Sequence, residues 1–143
     1  MGRSTRSRRG PAAWLALLIL AAGGCAASSS DETLTRIDDS QVMGRLTGGS
    51  AGRTLVIDAR PADAYRAGHI PSAVNLRLED VARGRTSGLE NYPVIIVYGD
   101  NPASSVAVAM VKRLRSLGHR DVRLFEGGFD GWRRAGRPVA RDE

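Results

Sequence analysis

The chain has 143 residues, 42% of them hydrophobic and 25% charged, with 17 glycines, a composition that excludes disordered and fibrous classes and leaves room for one small globular domain. Its formal charge of +6 comes from 21 basic against 15 acidic residues, but Arg3, Arg6, Arg8 and Arg9 crowd the first nine positions, and without those four the balance is 17 to 15. One cysteine, Cys25, and two histidines, His69 and His119, exclude an internal disulfide and a zinc site of the usual Cys/His spacing; no metal or other cofactor is expected.

The first segment, residues 1–24, has the anatomy of an export signal: a basic stretch over Arg3 to Arg9, the apolar run Ala12 to Ala22, then Gly23-Gly24 before Cys25. A membrane-spanning helix needs about 20 apolar residues, and the glycines and Ser28-Ser29-Ser30 arrive too early for one. Ala21-Ala22-Gly23-Gly24-Cys25 resembles a bacterial lipoprotein cleavage box, which implies an acylated Cys25 and membrane lipid as a partner, although Ala22 stands where leucine is usual and plain secretion is the alternative. Ala26, next to the cysteine, is not the aspartate associated with inner-membrane retention, so a periplasmic domain anchored to the outer membrane is expected. Residues 25–33 read as a flexible tether, and the folded domain is expected over 34–140.

Thr33 to Ile37 is expected as a short edge strand, followed by a helix capped by Asp39 or Ser40 and running through Leu46. Thr54 to Asp58 (TLVID) is a buried parallel strand by composition, and Pro61 suits the first position of a helix over Pro61 to Ala67 that stops at Gly68. Ala73 to Leu76 offers another strand, and Leu78 to Asn91 a mobile connection with one irregular helical turn. Pro93 to Tyr98 (PVIIVY) is the strongest strand signal and is expected in the sheet centre. A helix follows over Ala103 to Leu117, with Val106, Met110, Leu114 and Leu117 on its inner face and Lys112, Arg113 and Arg115 pointing away. Val122 to Phe125 is a last strand, and Gly127-Gly128 turns the chain into a helix from Phe129 to Arg134. This alternation defines an α/β fold with a parallel sheet and helices on both faces.

In such a sheet a ligand site lies beyond the carboxyl ends of the strands, which nominates the loop Gly99, Asp100, Asn101, Pro102, Ala103, Ser104 and Ser105. The loop holds no cysteine, histidine, lysine or arginine, and Asp100 would oppose an anion; a plain turn with Asn101 or Asp100 as helix cap is the simpler expectation. Ser104 or Ser105 cannot reach His119 across an intervening helix some 20 Å long. Nucleic-acid binding through Lys112, Arg113, Arg115, Arg133 and Arg134 is not expected, because acidic residues interleave with them.

Three segments resemble the rhodanese-like domain family: Val56-Ile57-Asp58-Ala59-Arg60 with Tyr65 and Gly68-His69-Ile70-Pro71; Ile95-Ile96-Val97-Tyr98; and Glu126-Gly127-Gly128-Phe129 with Trp132 and Gly136-Arg137-Pro138-Val139. The resemblance implies a three-layer fold with a five-stranded parallel sheet, and in active members a loop that opens with a persulfide-carrying cysteine and ends near an arginine. Laid on this chain, the cysteine position falls on Gly99, or on Asp100 if shifted by one, and the arginine position on Ser104. Glycine has no side chain and a carboxylate cannot form a persulfide. Asp58, Arg60, His69, Gly127, Gly128 and Trp132 are expected to be structural. The expected function is a non-catalytic binding or regulatory module at the cell envelope, its partner an envelope protein or small ligand at the loop; the alternative is a sulfurtransferase that borrows a thiol or depends on a partner protein.

Overall fold

The computed structural model describes residues 34–142; the expected export signal over 1–24, Cys25 and the expected tether over 25–33 lie outside the described residues. Elements alternate along the chain as β1 (Thr35–Ile37), α1 (Asp39–Thr47), β2 (Thr54–Asp58), α2 (Ala62–Ala67), β3 (Ala73–Asn75), α3 (Leu78–Ala82), β4 (Val94–Tyr98), α4 (Ser105–Ser116), β5 (Val122–Phe125) and α5 (Gly128–Arg134). The strands form one sheet in the order β1-β5-β4-β2-β3, and every neighbouring pair is parallel. All five residues of β2 and of β4 are buried, as the unbroken apolar runs TLVID and VIIVY require of strands covered on both faces.

Strand alternation divides the core in two. Leu55, Ile57, Ile95, Val97, Val122 and Leu124 meet α3 and α4 on one face. Val56, Ile96, Tyr98 and Phe125 meet Val42 of α1, Phe129 and Trp132 of α5, and the partly buried Tyr65 of α2 on the other. Among the described residues no helix is long and apolar enough to cross a membrane.

Several local expectations are corrected. Asp38 caps α1, its carboxylate accepting from Gln41 N (2.8 Å) while the Gln41 side chain accepts from Asp38 N (3.0 Å); this reciprocal pairing outcompetes caps at Asp39 or Ser40, which are already helical. Pro61 stands at the N-cap of α2 rather than inside it, and β3 ends at Asn75, whose side chain turns to the Asp58 and Arg60 carbonyls. The segment after it is packed: Val81 and Leu89 are buried, and a 3-10 turn spans Leu89–Asn91.

The inner face of α4 is rotated from the expected one. Ala107, Met110, Val111 and Leu114 are buried, whereas Val106 and Leu117 are 40% and 43% exposed. The stripe begins at the small Ala107 and runs through Met110 and Val111 to Leu114, and Leu117 already stands at the C-cap beyond the last turn. Arg115 does not point away but donates through Nη2 to the Val122 carbonyl at 2.8 Å. Val111→Ala should therefore cost about 2 kcal/mol, and Val106→Ala no more than about 0.5 kcal/mol, read from urea unfolding midpoints; equal losses would refute this orientation.

Candidate functional site at the β4–α4 loop

Strands β2 and β4 end side by side, with Asp58 opposite Tyr98 in register. Both residues are fully buried, so their polar atoms must find partners within the protein. The Tyr98 hydroxyl donates to Asp58 Oδ2 at 2.6 Å and accepts from Ile70 N at 3.1 Å. Arg60 closes the arrangement. Its backbone N–H donates to Asp58 Oδ1 (2.9 Å), its Nε reaches both carboxylate oxygens (3.0 and 3.1 Å), and its Nη2 donates to Asp58 Oδ2 (2.7 Å) and to the Gly68 carbonyl (2.6 Å). The guanidinium lies 4.0 Å from the Phe129 ring centroid and 5.7 Å from that of Tyr98, geometry suited to cation–π attraction.

Burial pushes the Tyr98 hydroxyl well above the ordinary tyrosine range, and the neighbouring Asp58 carboxylate adds to the effect. Burial pulls the Arg60 guanidinium down, but the hydrogen bond and charge of Asp58 outweigh it and the net direction is upward. Arg60 thus stays charged. Its Nη1 stands 3.9 Å from Asp100 Oδ1, so the loop borders a buried guanidinium that is already paired with Asp58. The loop's own residues include no basic group; the guanidinium beside them arrives from the end of β2.

The loop itself is held from both sides. The Gly99 and Asp100 carbonyls each accept a backbone bond from α5, from Phe129 N and Asp130 N at 2.8 Å. This approach requires a glycine at 128, whose φ is +61° and whose Cβ would lie 2.7 to 2.9 Å from the backbone of Asp100 and Asn101. Asn101 Oδ1 accepts from Ala103 N (2.9 Å) in a local turn. Ser104, not Asp100 or Asn101, caps α4, its Oγ accepting from Ala107 N at 3.5 Å; the asparagine is spent on its own turn two residues ahead.

Asp100, Asn101, Ala103, Ser104 and Ser105 line one cleft of about 570 Å³, together with Ala59, Arg60 and Pro61 from the β2 end, the segment Arg77-Leu78-Glu79, and Val106. Pro102 turns to the other side, toward Glu126 and Gly127. Arg77, Leu78 and Glu79 were not among the expected site residues. Their stretch is polar and short of periodicity, and only the pairing of β3 with β2 reveals that it borders the loop. Within the cleft Arg77 is paired with Glu79 and Asp80. No thiol or imidazole lines it, and no group of three or more His, Cys, Asp or Glu could hold a metal ion among the described residues.

The remaining signature residues support this frame from outside. His69 stacks on Tyr65, ring centroids 3.9 Å apart, with Nδ1 3.0 Å from the Tyr65 carbonyl, and its backbone pairs with Ala140. A Cβ at Gly127 would meet the Phe125 ring at 2.9 Å. Trp132 donates from Nε1 to the Pro138 carbonyl at 2.6 Å and packs edge-on against Phe125. Ser104 caps α4 and Ser105 opens it, while His119 lies beyond the other end of this 12-residue helix, so neither serine pairs with His119.

A family model for the rhodanese-like domain matches residues 38–135, and the chain belongs to that family. It is 35% identical over 89 residues to an HTH-type transcriptional regulator of Mycobacterium tuberculosis, covering 62% of this chain and 38% of that one. It is also 35% identical over 80 residues to the thiosulfate sulfurtransferase GlpE of Pseudomonas putida, covering 55% and 69%. Among solved structures, a Bacillus halodurans protein superposes with a TM-score of 0.69 at 26% identity, covering 77% of this chain and 79% of that one. A thiosulfate sulfurtransferase of Pseudomonas aeruginosa gives 0.64 at 27% identity, covering 76% and 20%. The chain spans about a third of the length of the first two curated relatives, the second a dual specificity protein phosphatase of Gallus gallus.

Two outcomes test the strand-end network. Tyr98→Phe leaves the Ile70 N–H without its partner and removes a donor from Asp58, and should cost about 1–3 kcal/mol; Asp58→Ala strands a buried guanidinium and should cost about 3–5 kcal/mol in urea unfolding. The second outcome concerns pH. The folded state holds the Tyr98 proton while the unfolded chain releases it near pH 10, so this contribution is complete below pH 10 and is lost as pH rises beyond it. The alkaline fall in unfolding free energy should be shallower in Tyr98→Phe; an unchanged slope would refute the buried, protonated hydroxyl.

Proposed function

We propose that this chain is a non-catalytic member of its family, a binding or regulatory module whose partner engages the cleft beside Gly99 to Ser105. One observation carries the reading: the position after the Val97-Tyr98 strand end, where the family's sulfur carrier belongs, is glycine. A thiolate is both the nucleophile and the carrier in that chemistry, and the residues lining the cleft supply no substitute. The cleft's charges, Arg60 beside Asp100 and Arg77 beside Glu79, instead suit recognition of a partner with its own paired charges and a small apolar surface to meet Leu78 and Val106. Relatives named as a transcriptional regulator and as a protein phosphatase support a role for such domains beyond sulfur transfer. In the same reading the chain is exported, acylated at Cys25 and held at the outer membrane with the domain in the periplasm.

Relatives named as thiosulfate sulfurtransferases favour a second reading, in which sulfur transfer proceeds with a thiol from elsewhere. The test is thiocyanate formation from thiosulfate and cyanide by the purified full chain, beside the Pseudomonas putida sulfurtransferase as positive control. The expected result is no turnover above buffer, with or without added glutathione. Turnover that needs added thiol would support the second reading, and turnover without it would overturn both. Incorporation of labelled palmitate, abolished by Cys25→Ser, tests the anchor.

A further inference from the structure

Gly99 is buried, yet its φ lies outside the left-handed region, so its backbone alone does not call for glycine. The obstacle to a side chain is a single residue. A Cβ built at 99 would lie 2.5 Å from Ser104 Cβ and closer still to Ser104 Oγ, with Ala107 Cβ next at 3.3 Å. Turning Ser104 about χ1 would move Oγ but not Cβ, so a change of rotamer cannot clear the space. Nor is the Ser104 backbone free to yield: its N–H donates to the Asn101 carbonyl (3.1 Å), its carbonyl accepts from Val108 N (3.3 Å), and its hydroxyl caps α4. On the opposite side Gly99 is fixed by the bond from Phe129 N.

We propose that Gly99 and Ser104 are a coupled pair, with Ser104 filling the volume that a side chain at 99 would occupy, so that the loop cannot house a nucleophile at 99 while serine stands at 104. The inference deepens the reading of a loop without sulfur-carrying chemistry and rests on it. It assigns the closure of the site to two positions rather than one. A cysteine introduced at 99 alone would meet the same obstruction as alanine, whereas glycine at 104 removes both obstructing atoms and is itself a tolerated cap.

The test is a double-mutant cycle read by thermal melting of the full chain: the natural protein, Gly99→Ala, Ser104→Gly and the double variant. Gly99→Ala should lower Tm by about 5 °C or more, and Ser104→Gly alone by no more than about 3 °C. In the Gly99→Ala background Ser104→Gly should raise Tm, while Ser105→Gly in that background should not. If Gly99→Ala fails to fold, a cooperative transition recovered in the double variant supports the pair, and its absence overturns it. An unchanged Tm in Gly99→Ala, or an equal loss from Ser104→Gly in both backgrounds, also overturns it. The thiosulfate assay on the natural chain reads the parent hypothesis separately: turnover there refutes the non-catalytic role whatever the cycle shows, and silence there with no coupling refutes only the pair.

Discussion

The buried ion pair of Asp58 and Arg60, closed by the Tyr98 hydroxyl, is the interaction on which the carboxyl end of the sheet depends. Two adjacent strands end in polar side chains after runs of apolar residues, and each of those side chains is buried. Such a pair gives little net stability over a well-packed apolar substitute. What it contributes is placement, because a carboxylate with four donors and a guanidinium with several acceptors fit one arrangement of the surrounding backbone. Through the Gly68 carbonyl and Ile70 N it fixes the turn after α2, and through Arg60 Nη1 it reaches the loop.

The second constraint is the close approach of α5 to that loop. The two bonds from Phe129 N and Asp130 N hold the Gly99 and Asp100 carbonyls, and Phe129 also lies under Arg60. The closing signature and the first signature, about 70 residues apart in the chain, are thus parts of one support. The start of the loop between them is fixed by these backbone bonds rather than by its own side chains.

The fold was legible because β2 and β4 are unbroken apolar runs and because Gly68, Gly118 and the Gly127-Gly128 pair punctuate the helices between strands. The loop was legible from its place after the central strand. The rotation of α4 was not, because Ala107 counts for little in a tally of large apolar residues yet is one of the four buried positions of the helix. Arg60's service to the loop was hidden by 40 residues of separation from Asp100 and emerges only from the pairing of β2 with β4. The cap at Ser104 was obscured by two competing residues of equal capping ability, Asp100 and Asn101, and only the asparagine's local turn resolves the choice.

A sheet whose strands all run the same way has unlike poles. Leu34 leads into β1 at the pole where the strands begin, whereas the cleft opens at the pole where β2 and β4 end. Whatever is joined ahead of Leu34 is therefore joined on the far side of the domain from the cleft. The chain's entry at Leu34 and the mouth of the cleft thus do not share one surface.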